Sequence, residues 1–184
     1  MNICIFGGAF DPPHISHVLA IHYLAAVGNF DKIFVAPTFS SAAGKKLIDF
    51  NHRLKMINLV VNFIPKVIVS DIEESLPVPS YTINTVKKIK EFYKTDQLRL
   101  AIGADILSST HLWNPEHLKE IFEIAPPFIL GRFGYEHPDA EGPIIPGISS
   151  TKVKELLKLD NRSELSKMVP TSILKYIADN KLYA

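Results

Sequence analysis

Cysteine is almost missing from this 184-residue chain: Cys4 is the single one. One thiol excludes a disulfide within the chain and a zinc site built on cysteines. Cys4 lies in a short apolar run, Asn2-Ile-Cys-Ile-Phe6, and is expected to be a small core residue. No apolar run approaches the ~20 residues that a membrane-crossing helix needs. The N-terminus carries no basic segment followed by a long apolar stretch and a cleavage site, so the cytoplasm is the expected compartment and no membrane partner is expected. Charge of one sign is lacking too. Twenty Lys and Arg stand against 19 Asp and Glu, a formal net charge of +1. That balance supplies no broad field for nucleic acid or anionic lipid, and neither is expected as a partner. A phosphate-bearing ligand would have to be gathered by a local group of donors.

What the chain does have is apolar patterning for one buried core, at a length that suits one domain. Short β-branched runs at 2–6, 32–36, 67–70, 98–102 and 127–130 predict strands. Helical spacing predicts helices over 14–27 and 52–63, over 81–92 with Ser80 as N-cap, from Asn114-Pro115-Glu116 onward, over 149–159, and over 171–180. Residues 134–147 are rich in Gly and Pro and read as an excursion loop. Strands alternating with helices give an α/β fold: a Rossmann-like open, mostly parallel sheet with helices on both faces and a small C-terminal helical part. A single domain, 1–184, is expected, with a sheet core over 1–147 and the helical part over 148–184.

In open α/β sheets, ligands bind beyond the carboxyl ends of the strands. The first strand ends in Gly7-Gly8-Ala9-Phe10-Asp11-Pro12-Pro13-His14-Ile15-Ser16-His17. Glycines let backbone amides approach a ligand closely. A helix beginning near Pro13 turns its free N–H groups and dipole toward an anion. His14 and His17 are three apart and project from one face of the first turn, where two imidazoles can donate to phosphate oxygens. The bland alternative is a solvated turn with two incidental histidines. No third ligand at motif spacing accompanies the pair, so no protein-held metal is expected. A second strand end, Gly103-Ala104-Asp105, shares the carboxyl edge. Ile148-Ser149-Ser150-Thr151 opens a later helix, where hydroxyls and free amides converge; alone, it reads as a helix cap.

The run from Gly7 to His17 resembles the GxFDPxHxGH signature of the nucleotidyltransferase superfamily with the HxGH motif. Ser16 stands where that signature has glycine. Ile148-Ser149-Ser150-Thr151-Lys152-Val153-Lys154 resembles its second signature, ISSTxxR, with Lys154 in place of arginine. Lysine keeps the charge and loses the planar bidentate fork. The likeness narrows to the nicotinate-nucleotide adenylyltransferase branch through Val69-Ser70-Asp71-Ile72-Glu73, Pro79-Ser80-Tyr81-Thr82-Ile83-Asn84-Thr85, Gly103-Ala104-Asp105, Trp113, and the tail from Val169-Pro170 to Leu182-Tyr183. Together these cover nearly the whole chain in order.

The resemblance implies adenylyl transfer from ATP to nicotinate mononucleotide, or to nicotinamide mononucleotide, giving the dinucleotide and pyrophosphate in NAD biosynthesis. It implies that His14 and His17 are catalytic. ATP and its phosphates would meet Gly7, Gly8, Ala9, Phe10, Lys45, Lys46, Gly103, Asp105, Ile148, Ser149, Ser150, Thr151 and Lys154. Backbone amides near Tyr81 and Thr82 would hold the pyridine carboxylate, and Trp113 would stack on the ring. A core tryptophan, a capping or solvated Asp105 and a solvated lysine pair are the plain alternatives. Mg²⁺ would be held through the ATP phosphates. Partners are then small molecules, and a homo-oligomer is left open. The loop Thr38–Lys46 reads closer to the Gly-Lys-Lys of enzymes accepting the amide, which leaves the mononucleotide's form open. Two rivals stand beside this reading: another adenylyl- or cytidylyltransferase, such as the pantetheine-phosphate type, and a non-catalytic nucleotide-binding module.

Overall fold

A computed structural model describes residues 1–95, 97–107 and 113–183. Five strands form one sheet: β1 (Ile3–Gly8), β2 (Lys32–Pro37), β3 (Val67–Val69), β4 (Leu98–Gly103) and β5 (Pro127–Leu130). Their order is β3-β2-β1-β4-β5, and every pairing is parallel. The helices are α1 (Ile15–Ala26), α2 (Phe50–Val61), α3 (Thr82–Tyr93), α4 (Ala104–Leu107), α5 (Pro115–Ile124), α6 (Ser150–Lys158), α7 (Arg162–Met168) and α8 (Thr171–Asp179). A 3₁₀ turn, Ile72–Ser75, follows β3.

Strand side chains alternate between faces, and the core divides accordingly. Cys4, Phe6, Ile33, Val35 and Ala101 pack with Ile21 and Leu24 of α1, Met56 and Ile57 of α2, Val153 of α6, Leu165 of α7 and Ile173 of α8. On the opposite face Ile3, Ile5, Phe34, Leu98 and Leu100 pack with Ile83, Val86 and Ile89 of α3 and Ile121 of α5. Helices therefore cover both faces, and the C-terminal helices share the first core. Cys4 is fully buried, and burial pushes its thiol up to about 12. It is an inert core residue.

α1 stops at Val27 and Gly28. A Cβ on Gly28 would lie 2.5 Å from the Phe30 ring and 2.7 Å from the Leu24 carbonyl, so the turn into β2 requires glycine. Two expectations need correction. Ser80 does not cap α3. Its Oγ accepts from Ser40 N–H at 3.0 Å, sealing the loop after β2, and Tyr81 is the N-cap without a side-chain bond. α7 was not expected; Asn161 caps it by accepting from Glu164 N–H at 3.2 Å.

The crossover pattern opens the crevice. From β1 the chain moves outward to β2 and β3, then returns to lay β4 on the other side of β1, the switch point of a doubly wound sheet. The β1–β2 register runs through Gly8↔Pro37, whereas the β1–β4 register ends at Phe6↔Ala101. Past that pair the two strand ends part.

Candidate active site

A cleft of about 460 Å³ lies over this parting, in the range of small-molecule sites. Its wall includes Gly7, Gly8, Ala9, Phe10, His14 and His17 from the β1–α1 connection. Gly103 and Asp105 come from the end of β4, and Ser149, Ser150, Thr151 and Lys154 from the start of α6. Lys45, Thr82 and Trp113 line it too. The imidazole pair and the hydroxyl cluster thus face one crevice, from segments more than a hundred residues apart in sequence.

The sequence places the first segment through its two tightest positions. Phe10 has φ +47° and is buried. Its ring lies edge-on to His17, centroids 4.9 Å apart. A Cβ on Gly8 would sit 3.2 Å from the Phe10 ring, so glycine there lets the ring under the strand end. His14 is the N-cap of α1 and His17 its third residue. Their rings stack, with centroids 3.7 Å apart and planes 24° apart. His14 N–H donates to His17 Nδ1 at 3.2 Å. A ring nitrogen that accepts is unprotonated, so neutral His17 carries its proton on Nε2.

Both imidazoles are held neutral. Burial, then the charge of Arg132, pushes His14 down to about 3. Burial, then His14, then Arg132, holds His17 well below its ordinary 6.5. Arg132 is itself anchored: Nη1 pairs with Asp105 Oδ2 at 2.9 Å, and Nη2 donates to the Ile148 carbonyl at 2.6 Å. It joins the β4 end to the approach of α6.

Asp11 also belongs to the cleft wall, with its side chain 3% exposed. Lys154 Nζ donates to its Oδ2 at 3.0 Å, and the Tyr183 hydroxyl donates to its Oδ1 at 2.7 Å. Burial and that bond push the Tyr183 phenol up. Arg53, also buried, ties the loops after β1 and β2 together, donating to the carbonyls of Ala9 at 2.9 Å and Thr38 at 2.6 Å. Glu73, buried in the cleft wall, accepts from Phe39 N–H at 3.0 Å and from the Thr85 hydroxyl at 2.8 Å.

Three expected residues stand apart from the wall. Lys46 is exposed on the loop after β2, while its neighbour Lys45 reaches the cleft. Tyr81 is exposed, edge-on to His117 at 5.6 Å. Ile148 packs against the first core and offers its carbonyl to Arg132. Trp113 does two things: it packs against the second core and lines the cleft. Arg132, Asp11, Glu73 and Tyr183 were missed as site residues. Asp11, Glu73 and Tyr183 each stand in a run that carries the resemblance, Gly7–His17, Val69–Glu73 and the tail, and that signal could have marked them; Arg132 stands in none and owes its importance to Asp105 and the Ile148 carbonyl.

Residues 5–156 match the family model described as cytidylyltransferase-like. The chain is 31% identical over 186 residues to a relative from Anaeromyxobacter dehalogenans named "Probable nicotinate-nucleotide adenylyltransferase", covering 99% of this chain and 96% of that one. A relative of the same name from Borreliella burgdorferi is 30% identical, covering 100% and 97%. The fold matches the solved structure "Plasmodium falciparum nicotinic acid mononucleotide adenylyltransferase complexed with NaAD", with TM-score 0.83, 24% identity, and 99% and 97% coverage. The cytidylyltransferase-like match runs from β1 into α6 and so spans both halves of the cleft, while the full-length likeness extends through the tail that supplies Tyr183. On these grounds the chain belongs to the nicotinate-nucleotide adenylyltransferase family.

Proposed function

We propose that this protein transfers the AMP part of ATP to nicotinate mononucleotide, releasing pyrophosphate and giving the dinucleotide, a step of NAD biosynthesis. The observation that carries the reading is the meeting of two helix N-termini, α1 with its stacked imidazoles and α6 with its hydroxyls, in one crevice at the switch point. Helix dipoles and first-turn N–H groups directed at one place favour a polyanion; at α6 the Ser149 hydroxyl caps the Lys152 N–H at 3.2 Å, which leaves the amides ahead of it for a ligand.

The mononucleotide's phosphate is already an anion, so its in-line attack on the α-phosphorus needs no protein base. Catalysis is positioning and charge stabilisation. The neutral imidazoles fit that role. With Nδ1 occupied by the His14 N–H, His17 is a donor through Nε2, aimed to bind developing charge on a phosphoryl oxygen. Amides of Gly7 to Phe10, the start of α6, Lys45 and Lys154 serve the phosphates. Asp105 and Gly103 serve the ATP ribose. Trp113 and the free amides at the start of α3, beside Thr82, serve the pyridine ring and its carboxylate; α3 has no side-chain cap to compete for them.

Mg²⁺, in this reading, travels with the triphosphate. Both oxygens of Asp11 and both of Glu73 are already engaged by protein donors, so these two carboxylates suit structural duty better than a metal cage. The chain would act as one domain, its 148–184 part sharing a core with the sheet over 1–147. Its partners would be small molecules of the cytoplasm, and neither nucleic acid nor a membrane is proposed among them. Incubation with ATP, Mg²⁺ and either nicotinate or nicotinamide mononucleotide, with mass detection of the dinucleotide, tests the reading. Faster turnover of the nicotinate form is expected, and no dinucleotide from either would overturn it.

A further inference from the structure

Position 16 is where the chain departs from the superfamily's glycine, and the added side chain is used. Ser16 lies in the first turn of α1, is 4% exposed, and donates its Oγ–H to the Pro146 carbonyl at 2.9 Å, on the segment leading into α6. A matching bond runs the other way. Ser150, the first residue of α6, donates its Oγ–H to the Pro12 carbonyl at 2.8 Å, on the segment leading into α1. Each helix start holds the approach to the other.

A hydroxyl has one proton to donate. Ser150 commits its proton to Pro12, so it is not a phosphate donor in this arrangement; with the Lys152 N–H taken by the Ser149 hydroxyl, the amides of Ser150 and Thr151 are left for that task. A glycine at position 16 could not make the bond to Pro146. The gap between the helix starts would then rest on Ser150 and on the Lys154–Asp11 pair.

Granted the adenylyl transfer proposed above, on which this step rests, we propose that Ser16 is a positioning residue. With Ser150 it forms a reciprocal hydroxyl clamp that sets the distance between the two helix N-termini gripping the triphosphate. It touches no reacting atom and acts through the geometry of α1 and α6, where small displacements reduce rates steeply.

Steady-state kinetics on the full chain test this with Ser16→Gly, Ser16→Ala, Ser150→Ala and the double variant Ser16→Ala/Ser150→Ala. Alanine is the best helix former, so Ser16→Ala removes the hydroxyl without breaking α1. The expected result is a rise of about fivefold in KM for ATP in both position-16 variants, the equivalent of one typical hydrogen bond, with KM for the mononucleotide unchanged. The double variant should depart from the product of the two single losses, because both bonds span one gap. Two outcomes overturn the clamp: both KM values as in wild type with only a lowered melting temperature, or strictly multiplicative losses. A wild-type chain that makes no dinucleotide would instead refute the adenylyl transfer itself, which separates the two failures.

Discussion

The backbone N–H of His14 donates to Nδ1 of His17 at 3.2 Å, and that bond settles which nitrogen of His17 is left as a donor. A residue preset in this way contributes to the transition state more than to ground-state binding. His17→Ala is expected to lower kcat about a hundredfold, on the order of 2.7 kcal/mol, while KM for ATP changes little. Turnover equal to wild type would remove His17 from the chemistry.

The same pair makes the fold sensitive to acid. Both imidazoles are depressed in the folded state, His14 to about 3, while the unfolded chain titrates near 6.5. The unfolded chain therefore takes up protons first as the pH falls. Stability is fully present above about 6.5 and declines below it, by about 1.4 kcal/mol per pH unit for each imidazole. Urea denaturation at pH 7, 6 and 5 should show that slope, and His17→Gln should make it shallower by one imidazole's share. Neither ring titrates near 6.5 in the folded chain, so an NMR titration of the unliganded protein's imidazoles should find His14 and His17 neutral at pH 6.5; an inflection of either there would contradict the neutral state.

Most of the fold is legible locally because strand and helix leave their period in the apolar residues. Ile3, Ile5 and Cys4, Phe6 alternate between two cores as the run 2–6 predicts, and α5 starts where Asn114-Pro115 announces it. α7 escapes because seven residues with one buried side chain, Leu165, carry almost no period; only the Asn161–Glu164 cap marks it. The site divides the same way. His14, His17 and the hydroxyls of α6 lie in compact motifs. Tyr183 meets Asp11 across 172 residues, and Arg132 meets Asp105 from the next strand's end. No spacing rule encodes such pairs, since only tertiary closure brings them together. Ser80 shows the opposite error. A good local capping residue was taken by a stronger tertiary partner, the loop after β2.

The Tyr183–Asp11 bond should be among the most valuable single contacts near the C-terminus. Asp11 is buried beside Lys154, and removing the phenolic hydroxyl leaves one carboxylate oxygen without its donor. Hydrogen bonds to charged groups are worth about 1.5–3 kcal/mol, so Tyr183→Phe should lower stability by that amount. Tyr176→Phe gives the comparison. Its hydroxyl meets His52 Nδ1 at 2.9 Å, and its loss should destabilise by about 1 kcal/mol. Chemical denaturation of the two variants side by side decides the order, and equal losses would mean that Asp11 finds another donor.

Gly103 is predicted to control the β4 end of the cleft through space alone. A Cβ there would land inside contact distance of Asp105 Oδ1, so alanine must turn the Asp105 carboxylate away. That movement breaks the 2.9 Å pair with Arg132, whose other arm holds the Ile148 carbonyl ahead of α6. Gly103→Ala should therefore raise KM for ATP about tenfold, equivalent to about 1.4 kcal/mol of lost binding. The effect on stability should be smaller, because Gly103, paired with Leu130, is the last residue of β4 rather than a central one. Asp105→Asn keeps the shape and removes the charge, and should give a similar rise if the carboxylate is what matters. A Gly103→Ala enzyme with wild-type affinity for ATP would show that Asp105 has room to move without loosening the nucleotide.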